Sequence, residues 1–281
     1  MSNTSLAGLQ ASLAQVQNLQ AQASSGKRIQ VPSDDPEATA TSMQMRSQQL
    51  ADNQYGRNSD FANARLSVID SSLQAMTDQL RSARNLVLSS QDGERSDTSR
   101  AAISTQLGQI KDQMTALYNS QYLGRPVFGG TSAAGTTIDD SGAYVGDGNP
   151  VMVQLSATTT VRVDVDGASI GADTAPALMD QLVANANDPA GNPQSDISDL
   201  DAVLSKVSLA LGNVGAAETR VSTTSNLVGA HSADLATSIS HNEEADLADV
   251  LTKFASQQIA YQTALGVAAK INQTSLLDFL R

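Results

Sequence analysis

Apolar residues recur along two long parts of the chain at alternating spacings of three and four positions. This period is typical of helices that pack through one face, and a seam that repeats every 3.5 residues predicts coiled-coil packing. The stripe of the first half consists of Leu66, Ile69, Leu73, Met76, Leu80, Ala83, Val87, Ile103, Leu107, Ile110, Met114 and Leu117. The stripe of the second half consists of Leu200, Leu204, Val207, Leu211, Val214, Val221, Val228 and Leu235.

The positions of the prolines divide the chain into three parts. None of the seven prolines lies in 37–125 or in 194–281, as long uninterrupted helices require. The stretch between them, 126–193, contains five prolines and nine of the 19 glycines. We therefore expect two helical arms that flank an irregular or β-containing insert. A helix of about 50 residues would be roughly 75 Å long, so we expect an elongated molecule.

The insert shows the alternation that is typical of short strands. Valines or leucines at every second position in 151–155 and 161–165 alternate with polar or flexible residues. The sequences Gly146–Pro150 and Asp166–Gly167 favour turns beside these strands. We predict a small β module of a few strands, followed by a short helix over Thr174–Asn187.

Two further signals predict where helices begin and end. Ser195 followed by Asp196 is typical of an N-cap, and we expect the long helix of the second half to begin there. The polar sequence Gln91–Glu94 predicts a turn between two antiparallel helices of the first half.

Together these patterns predict a mainly α protein with a β insert, built as an elongated antiparallel helical bundle or coiled-coil rod. Its terminal helices are expected to pair on assembly. The predicted domains are an N-terminal segment over 1–36, a first helical half over 37–125, a β-containing domain over 126–193, a return helix over 194–240 and a C-terminal helix over 241–281.

The two ends of the chain differ from its middle. Residues 1–25 carry no charge and have only modest apolar content, so they cannot easily fold alone. The C-terminal segment has a complementary stripe and ends in an apolar cluster that needs a partner to cover it. We expect both ends to be poorly ordered in the monomer and to pair on assembly. The predicted contact residues are Leu6, Leu9, Leu13, Val16, Phe254, Tyr261, Leu265, Ala268, Ile271, Leu276, Leu277, Phe279 and Leu280.

Composition and charge narrow the range of partners. The net charge of −12 argues against nucleic acid and against an anionic membrane surface, because both attract clustered Lys and Arg. The chain has no Cys, which excludes disulfides, thiolate nucleophiles and Cys-based metal sites. No uninterrupted apolar run of about 20 residues predicts a membrane span, and no conventional secretory signal precedes Lys27, the first basic residue.

Two short motifs resemble ligand-binding loops only in part. Ser25-Gly26-Lys27-Arg28 resembles the end of a P-loop, but that loop needs Gly at position 21 and Ser or Thr at position 28, where the chain has Ala21 and Arg28. Asp164–Gly167 resembles the start of a calcium loop, but the later oxygen ligands and the terminal Glu are missing. A hairpin turn is the favoured interpretation of the second motif.

The remaining titratable clusters favour structural roles. His231 and His241 lack an obvious third ligand, so we expect both on exposed helix surfaces. The acidic pairs Asp34-Asp35 and Glu243-Glu244 each adjoin a predicted helix start, where negative charge is favourable, so capping is the better interpretation. We therefore predict no catalytic, cofactor-binding or metal-binding residues, and we expect that the protein is not an enzyme.

Several motifs, in their order along the chain, resemble those of the flagellin superfamily. They are Ser24-Ser25-Gly26-Lys27-Arg28-Ile29, Pro32-Ser33-Asp34-Asp35-Pro36, Gly124-Arg125-Pro126-Val127-Phe128-Gly129-Gly130-Thr131, Gly215-Ala216-Ala217-Glu218-Thr219-Arg220, Glu243-Glu244-Ala245-Asp246 and Ser275-Leu276-Leu277-Asp278-Phe279-Leu280. The Pro-Ser-Asp-Asp-Pro form is more similar to the hook–filament junction branch of that superfamily than to flagellin itself. The resemblance covers both helical arms.

The resemblance implies an extracellular structural subunit of the bacterial flagellum. Its terminal helices would pair in the axial core of a tubular assembly, and its β module would project outward. Export would occur unfolded through the flagellar type III channel without a cleavable signal peptide, with an export chaperone on the C-terminal segment. The implied partners are an adjacent hook-associated junction protein, flagellin, and further copies of the chain in a ring. A short flagellin and an intracellular coiled-coil adaptor stay open as alternatives.

Overall fold

The computed structural model describes residues 3–90, 96–188 and 193–279, and this part of the chain is predominantly helical. Its α-helices are α1 (Asn3–Ser25), α2 (Pro36–Ser90), α3 (Asp97–Tyr118), α4 (Ala175–Asn187), α5 (Pro193–Glu243) and α6 (Leu247–Phe279). Its short strands are β1 (Gln121–Tyr122), β2 (Arg125–Pro126), β3 (Met152–Gln154) and β4 (Thr160–Arg162), and a 3-10 turn, η1, spans Ala168–Ile170. The mainly α fold with a β insert is thereby confirmed.

The long helices begin at prolines, which fit the first helical turn because their missing N–H has no partner there. Pro36 is the first residue of α2, a helix of 55 residues, and Pro193 is the first residue of α5, which has 51 residues. The predicted N-cap at Ser195 is therefore wrong, because α5 already begins two residues earlier. Asp196 instead lies buried and accepts hydrogen bonds from the Asn185 side chain at 2.9 and 3.0 Å. The predicted turn at Gln91–Glu94 lies outside the described residues.

The chain forms two compact units. The terminal unit consists of Met1–Ala51 with His231–Arg281, and the central unit consists of Asp52–Ala230. Helices α2 and α5 each contribute residues to both units. The terminal unit therefore combines both ends of the chain, as the pairing of terminal segments requires.

The central unit has a continuous apolar core. The predicted first-half stripe is buried over its whole length from Leu66 to Val87, and the second-half stripe contributes buried residues such as Leu200 and Val214. Helix α4 packs against α3, as expected for a short amphipathic helix beside the seam. The Tyr118 hydroxyl donates a hydrogen bond of 3.0 Å to the Ile170 carbonyl, so this buried phenol is satisfied.

The β insert consists of two small antiparallel hairpins. β1 pairs with β2, and β3 pairs with β4 so that Val153 faces Val161. The predicted alternation is confirmed at 161–163, where the two valines are buried and Arg162 is exposed. The predicted hairpin turn at Asp166–Gly167 is wrong, because this pair follows β4 and leads directly into η1. Gly167 is instead needed for close packing, since an added Cβ would lie 2.8 Å from the Phe128 carbonyl oxygen.

One helix in the part of the chain that the structure describes, over Gln194–Glu243, is long and apolar enough to cross a membrane by length and composition alone. The core helix of a water-soluble protein passes the same test. The apolar seam residues Leu200, Val207 and Val214 of this helix are buried in the central unit. We therefore assign them to the protein core.

Candidate assembly interface

The two ends of the chain meet as a pair of antiparallel helices. Helix α1 packs against α6. The Gln257 side chain donates a hydrogen bond of 3.0 Å to the Ser12 hydroxyl, and Lys27 forms an antiparallel bridge with Glu244. The start of α6 therefore lies beside the end of α1, and the two chains run in opposite directions from there.

The facing positions of the two helices follow a heptad pattern. Every third or fourth residue along each helix is covered by the other helix, whereas most residues between them are exposed. The covered positions, which we call the terminal seam, are Leu9, Ser12, Val16, Leu19 and Ala23 of α1 and Val250, Phe254, Gln257, Tyr261 and Ala264 of α6. Within this set Val250 is buried and the others are half-buried. A pair of helices covers one face of each helix and leaves the opposite face to solvent.

The predicted contact residues divide into two groups. Leu9, Val16, Phe254 and Tyr261 lie in the terminal seam. The outward group keeps a large exposed fraction and consists of Leu6 at 47%, Leu13 at 38% and Leu265 at 44%. Leu280 lies outside the described residues, as do the side chains of Ala268, Ile271, Leu276, Leu277 and Phe279.

Periodicity in the sequence did not distinguish these two groups. Leu6, Leu9, Leu13 and Val16 formed one predicted stripe, but alternate members face different ways. Helix α6 has further exposed apolar residues that lie outside the terminal seam, as Leu6, Leu13 and Leu265 do. These additional residues, which the sequence prediction did not include, are Leu251, Ile259 and Val267. We call the six residues together the outward stripe.

A short backbone ladder closes the end of this helix pair. Gly26 ends α1 with a φ of 68°, a left-handed conformation that favours glycine. The chain then runs beside the link between α5 and α6, where Arg28 donates its backbone N–H to the Glu243 carbonyl at 2.7 Å. In return, the Ala245 backbone N–H donates to the Gly26 carbonyl at 2.9 Å.

Charged side chains reinforce the ladder, and we call Lys27, Arg28, Asp35, Arg46 and Glu243 the charged joint. Arg46 of α2 donates two hydrogen bonds to the Glu243 carboxylate, at 2.6 and 3.2 Å, and the Lys27 ammonium lies 3.5 Å away. The Arg46 hydrogen bond, together with the charges of Arg46 and Lys27, lowers the pKa of Glu243 below its ordinary value. Two-point contact between a guanidinium and a carboxylate fixes orientation as well as distance.

The second half of the joint links Arg28 to the start of α2. The Arg28 guanidinium lies 2.9 Å from the Asp35 carboxylate and donates to the Asn242 carbonyl at 3.0 Å. Asp35 also accepts the Ala38 backbone N–H at 3.0 Å, so the predicted capping role of this residue is confirmed. The same prediction is wrong for Asp34, whose carboxylate accepts the backbone N–H groups of Gln30 and Val31 before it. The backbone N–H of Ala38 and the Arg28 side chain together lower the pKa of Asp35.

The predicted capping role of Glu243 is wrong. Glu243 is the last residue of α5, and the cap of α6 is Asp246, whose carboxylate accepts the backbone N–H groups of Ala248 and Asp249 at 3.0 and 3.2 Å. The opposite charges of the motifs at 27–28 and 243–244 were the available signal for an ion pair. Because more than 200 residues separate the two motifs, local sequence patterns could not predict that their side chains form an ion pair.

The two histidines and the motif that resembles a calcium loop show no ligand-binding geometry in the described residues. His231 and His241 are exposed on α5, as predicted. Asp164 forms a two-point ion pair with Arg162, with both distances 2.9 Å, and accepts the Val151 backbone N–H. Within the described ranges, no group of three or more His, Asp or Glu residues could hold a metal ion.

Comparison with known proteins identifies both arms of the chain. Residues 1–133 match the bacterial flagellin N-terminal helical region, and residues 197–280 match the bacterial flagellin C-terminal helical region. A structure from Vibrio parahaemolyticus, described as a flagellar hook-associated protein, superposes with a TM-score of 0.69 at 20% identity, covering 75% of this chain and 100% of that one. This likeness shows the shared fold.

The relatives that are similar in sequence include a hook-associated protein and a filament protein. Flagellar hook-associated protein 3 of Salmonella typhimurium is 31% identical over 172 residues, which are 60% of this chain and 54% of that protein. This chain thus spans about half the length of that relative. The flagellar filament 30.7 kDa core protein of Treponema maltophilum is 26% identical over 262 residues, 92% of this chain and 89% of that protein. Because the two matched regions together cover well over half of its length, the chain belongs to the bacterial flagellin family.

Proposed function

We propose that this protein is a structural subunit of the bacterial flagellum that joins the hook to the filament. The observation that carries the proposal is the pair of terminal helices with an outward apolar stripe, in a chain that is 31% identical to a hook-associated protein 3. A soluble monomer gains nothing from exposing several large apolar side chains along two paired helices. A subunit that stacks in a tube covers such a row with its neighbours.

The proposed assembly step buries the outward stripe against other subunits. Leu6, Leu13 and Leu265 would pack on the terminal helices of adjacent copies, in the manner of a coiled coil with more than two strands. Burying the exposed part of each leucine contributes about 1 kcal/mol, so several residues per contact stabilise an assembly of many copies. Together with the residues of the terminal seam, they form the axial core of the assembly.

The proposed domains follow from the same picture. Residues 1–36 and 241–281 form the axial core, 37–125 and 194–240 form the surrounding helical rod, and 126–193 form the outer β-containing domain. We also propose that the terminal helices order only on assembly, because a two-helix seam with half-buried contacts stabilises little. Hydrogen exchange on the purified monomer tests this step: fast exchange throughout α1 and α6 is expected, and strong protection there would contradict it.

The proposed partners are other axial proteins of the flagellum. Flagellin would contact the junction on one side, an adjacent hook-associated protein on the other, and further copies would complete a ring. The C-terminal segment, which is apolar and would be exposed before assembly, fits an export chaperone that covers it until secretion through the type III channel. The net charge of −12 gives no support to nucleic acid or an anionic membrane as a partner.

A second candidate function is that of a short flagellin, the filament subunit itself. The observation that favours it is the similarity to the Treponema maltophilum filament core protein, which extends over 92% of this chain. The identity of 31% to the hook-associated relative, against 26% to the filament protein, favours the junction. An intracellular coiled-coil adaptor has less support, because it gives no reason for the β insert or the apolar C-terminus.

Deletion of this gene in its native cell, followed by electron microscopy and an assay of secreted flagellin, separates these candidates. A junction protein predicts intact hooks without filaments, and flagellin monomers that are lost to the medium. A filament subunit predicts hooks without filaments and no such monomers. Filaments that form normally on the hooks would contradict both. Gold-labelled antibody adds a second readout, with label at the hook-proximal end alone for a junction and along the whole filament for a flagellin.

A further inference from the structure

The tip of the β1–β2 hairpin combines two unfavourable features in one residue. Leu123 has a φ of 50°, and its side chain is 78% exposed. Together with Gly124, at a φ of 74°, it forms a two-residue turn that requires left-handed backbone at both positions and favours Asn-Gly. A leucine there is strained by its own Cβ and places an apolar side chain in water. Neither feature helps the monomer.

The base of the hairpin is firmly held, so the tip has a fixed position. Tyr122 packs edge-to-face on Phe61 with ring centroids 5.5 Å apart. The buried Arg65 donates to the carbonyls of Pro126 at 3.2 Å and Val163 at 2.7 Å. A rigid base removes most of the ordering cost that a flexible loop would meet on binding.

The tip also carries positive charge. Arg125 is exposed on the strand that follows Leu123, and none of the carboxylates in the described ranges forms an ion pair with it. Arg65 is buried beneath the hairpin, where Asp164 offsets part of its charge, so the exposed charge of the tip is that of Arg125. This apolar and cationic tip stands out on a chain whose net charge is −12.

We propose that the tip formed by Leu123, Gly124 and Arg125 docks onto an acidic surface of a second copy of this chain. Charge complementarity selects the partner, because each copy carries a large excess of carboxylates and the tip carries the opposite sign. The contact joins two different surfaces, so it continues from copy to copy into a ring or helix. The inference rests on the proposed function in one respect, namely that copies of the chain meet in an assembly. The residues of the tip are not part of the terminal helices.

The first test replaces Leu123 in the full chain with a photo-crosslinking phenylalanine analogue and irradiates cells that assemble flagella. A covalent dimer of the chain, identified by mass spectrometry of the crosslinked peptides, is expected. The matched control places the same analogue at Leu209, which is 69% exposed on α5. No dimer through position 123, equal yields from both positions, or adducts with a different protein alone would overturn the proposal.

The second test uses Leu123→Asn, which fits the left-handed turn better than leucine does. We expect the unfolding temperature to stay the same or rise by about 2–4 °C, since backbone strain is relieved. The number of copies incorporated per hook should nevertheless fall ~10-fold, the loss expected for one buried apolar anchor. A merely structural leucine would move both readouts in the same direction. Unchanged incorporation would overturn the proposal.

A charge reversal completes the design. In the photo-crosslinking chain, Arg125→Glu should remove the dimer, and persistence of the dimer would show that charge does not select the partner. Failure of this docking proposal and failure of the proposed junction role give different results. If filaments form normally without this protein but the crosslink through position 123 still appears, the junction role fails and the contact between copies stands.

Discussion

The central and terminal units have the same spacing of apolar residues, but they differ in how completely the chain itself buries those residues. In the central unit, the stripe along α2 is closed by other parts of the same chain, and Leu73 is fully buried. In the terminal unit, α1 and α6 cover each other along one face, and apolar residues outside that face, such as Leu265, stay exposed. Identical spacing therefore encodes a finished core in one region and an unfinished surface in the other.

The number of packing partners explains this difference. Around α2 of the central unit, α3, α4, α5 and the β insert supply residues to one continuous core. Helices α1 and α6 have each other, and a pair of helices buries a single stripe. Folding stability should therefore reside in the central unit, and the free energy of assembly in the terminal one. Substitutions of equal size in the two units should separate these properties.

The largest effect is expected from Leu73→Ala in the central unit. Removing a fully buried side chain creates a cavity and should lower the free energy of unfolding by about 2–5 kcal/mol. Thermal unfolding of the purified chain, followed by circular dichroism, measures it.

Leu13→Ala is the matched control, since it removes the same atoms from an exposed site of the terminal unit. We expect it to change the free energy of unfolding by less than about 0.5 kcal/mol. Equal losses from both variants would mean that the terminal unit folds as part of the same core.

Leu265→Asp is expected to have the opposite effect from Leu73→Ala, with little change in folding stability and a large loss of assembly. The residue is exposed, so the unfolding temperature should hardly change. In an assembly the new carboxylate would be buried without a partner, at a cost of roughly 2 kcal/mol or more for each contact. Electron microscopy of cells that carry the variant should show hooks without filaments.

Leu209→Asp, an exposed leucine of the central unit, controls for the added charge on its own. Filaments of normal length and number in cells with Leu265→Asp would remove this residue from the assembly surface. If the purified variant instead unfolds at a much lower temperature, its effect belongs to the fold.

Much of the fold could be predicted from the sequence because its main determinants are local. The heptad spacing from Leu66 to Val87, the proline-free stretches and the alternating valines of 161–165 each depend on neighbours within a few residues. Helix α4 was predicted over Thr174–Asn187, and it begins one residue later, at Ala175. The errors at Ser195 and at Asp166–Gly167 concern ends and turns, where the backbone has more than one solution.

The candidate site was less predictable because it depends on contacts between distant residues. A heptad stripe shows which residues are apolar, but the direction of Leu6 and Leu13 away from α6 follows from the position of one helix on another. The ion pair of Arg46 with Glu243 joins residues 197 positions apart. The exposed Leu123 turn carried no sequence signal, because leucine is not a residue that such turns favour.

Glu243→Gln tests how much the charged joint contributes to the terminal unit, because it weakens that joint. Gln keeps the shape of the side chain but loses the charge that Arg46 and Lys27 contact. Both cations are about half exposed, so solvent screening limits the loss to about 1 kcal/mol. In the assembled state, where the terminal helices are ordered, hydrogen exchange at Arg28 and Ala245, whose backbone N–H groups form the ladder, should become faster.

The pH dependence of the same joint has a definite sign. The folded-state pKa of Glu243 is lowered from an ordinary value of 4.5, so its contribution is present above that value. It is lost as the pH falls below 4.5 and through the lowered pKa. Glu244→Gln is the matched control, since that side chain is exposed beside the joint. An equal change in the pH dependence with Glu243→Gln and with Glu244→Gln would show that the pH dependence does not come from Glu243 in the charged joint.

The smallest effect is expected from Gln257→Leu in the terminal seam. The hydrogen bond between Gln257 and Ser12 is a polar contact in an otherwise apolar seam, and such contacts fix the register of paired helices at a cost in stability. Leucine should therefore strengthen the pairing by about 0.5 kcal/mol while permitting other registers. Because the chain has no Cys, an introduced cysteine pair reports the register directly.

From Ser12 opposite Gln257, the antiparallel register brings Leu9 level with Tyr261. In the assembled state, oxidation of a chain with Leu9→Cys and Tyr261→Cys should therefore give one intramolecular disulfide, whereas Leu9→Cys with Phe254→Cys, one heptad away, should give almost none. Adding Gln257→Leu should raise the yield of the second pair, and adding Gln258→Leu, at the exposed neighbouring position, should not. If the second pair stays unreactive with Gln257→Leu, apolar packing alone sets the register and the hydrogen bond to Ser12 is incidental.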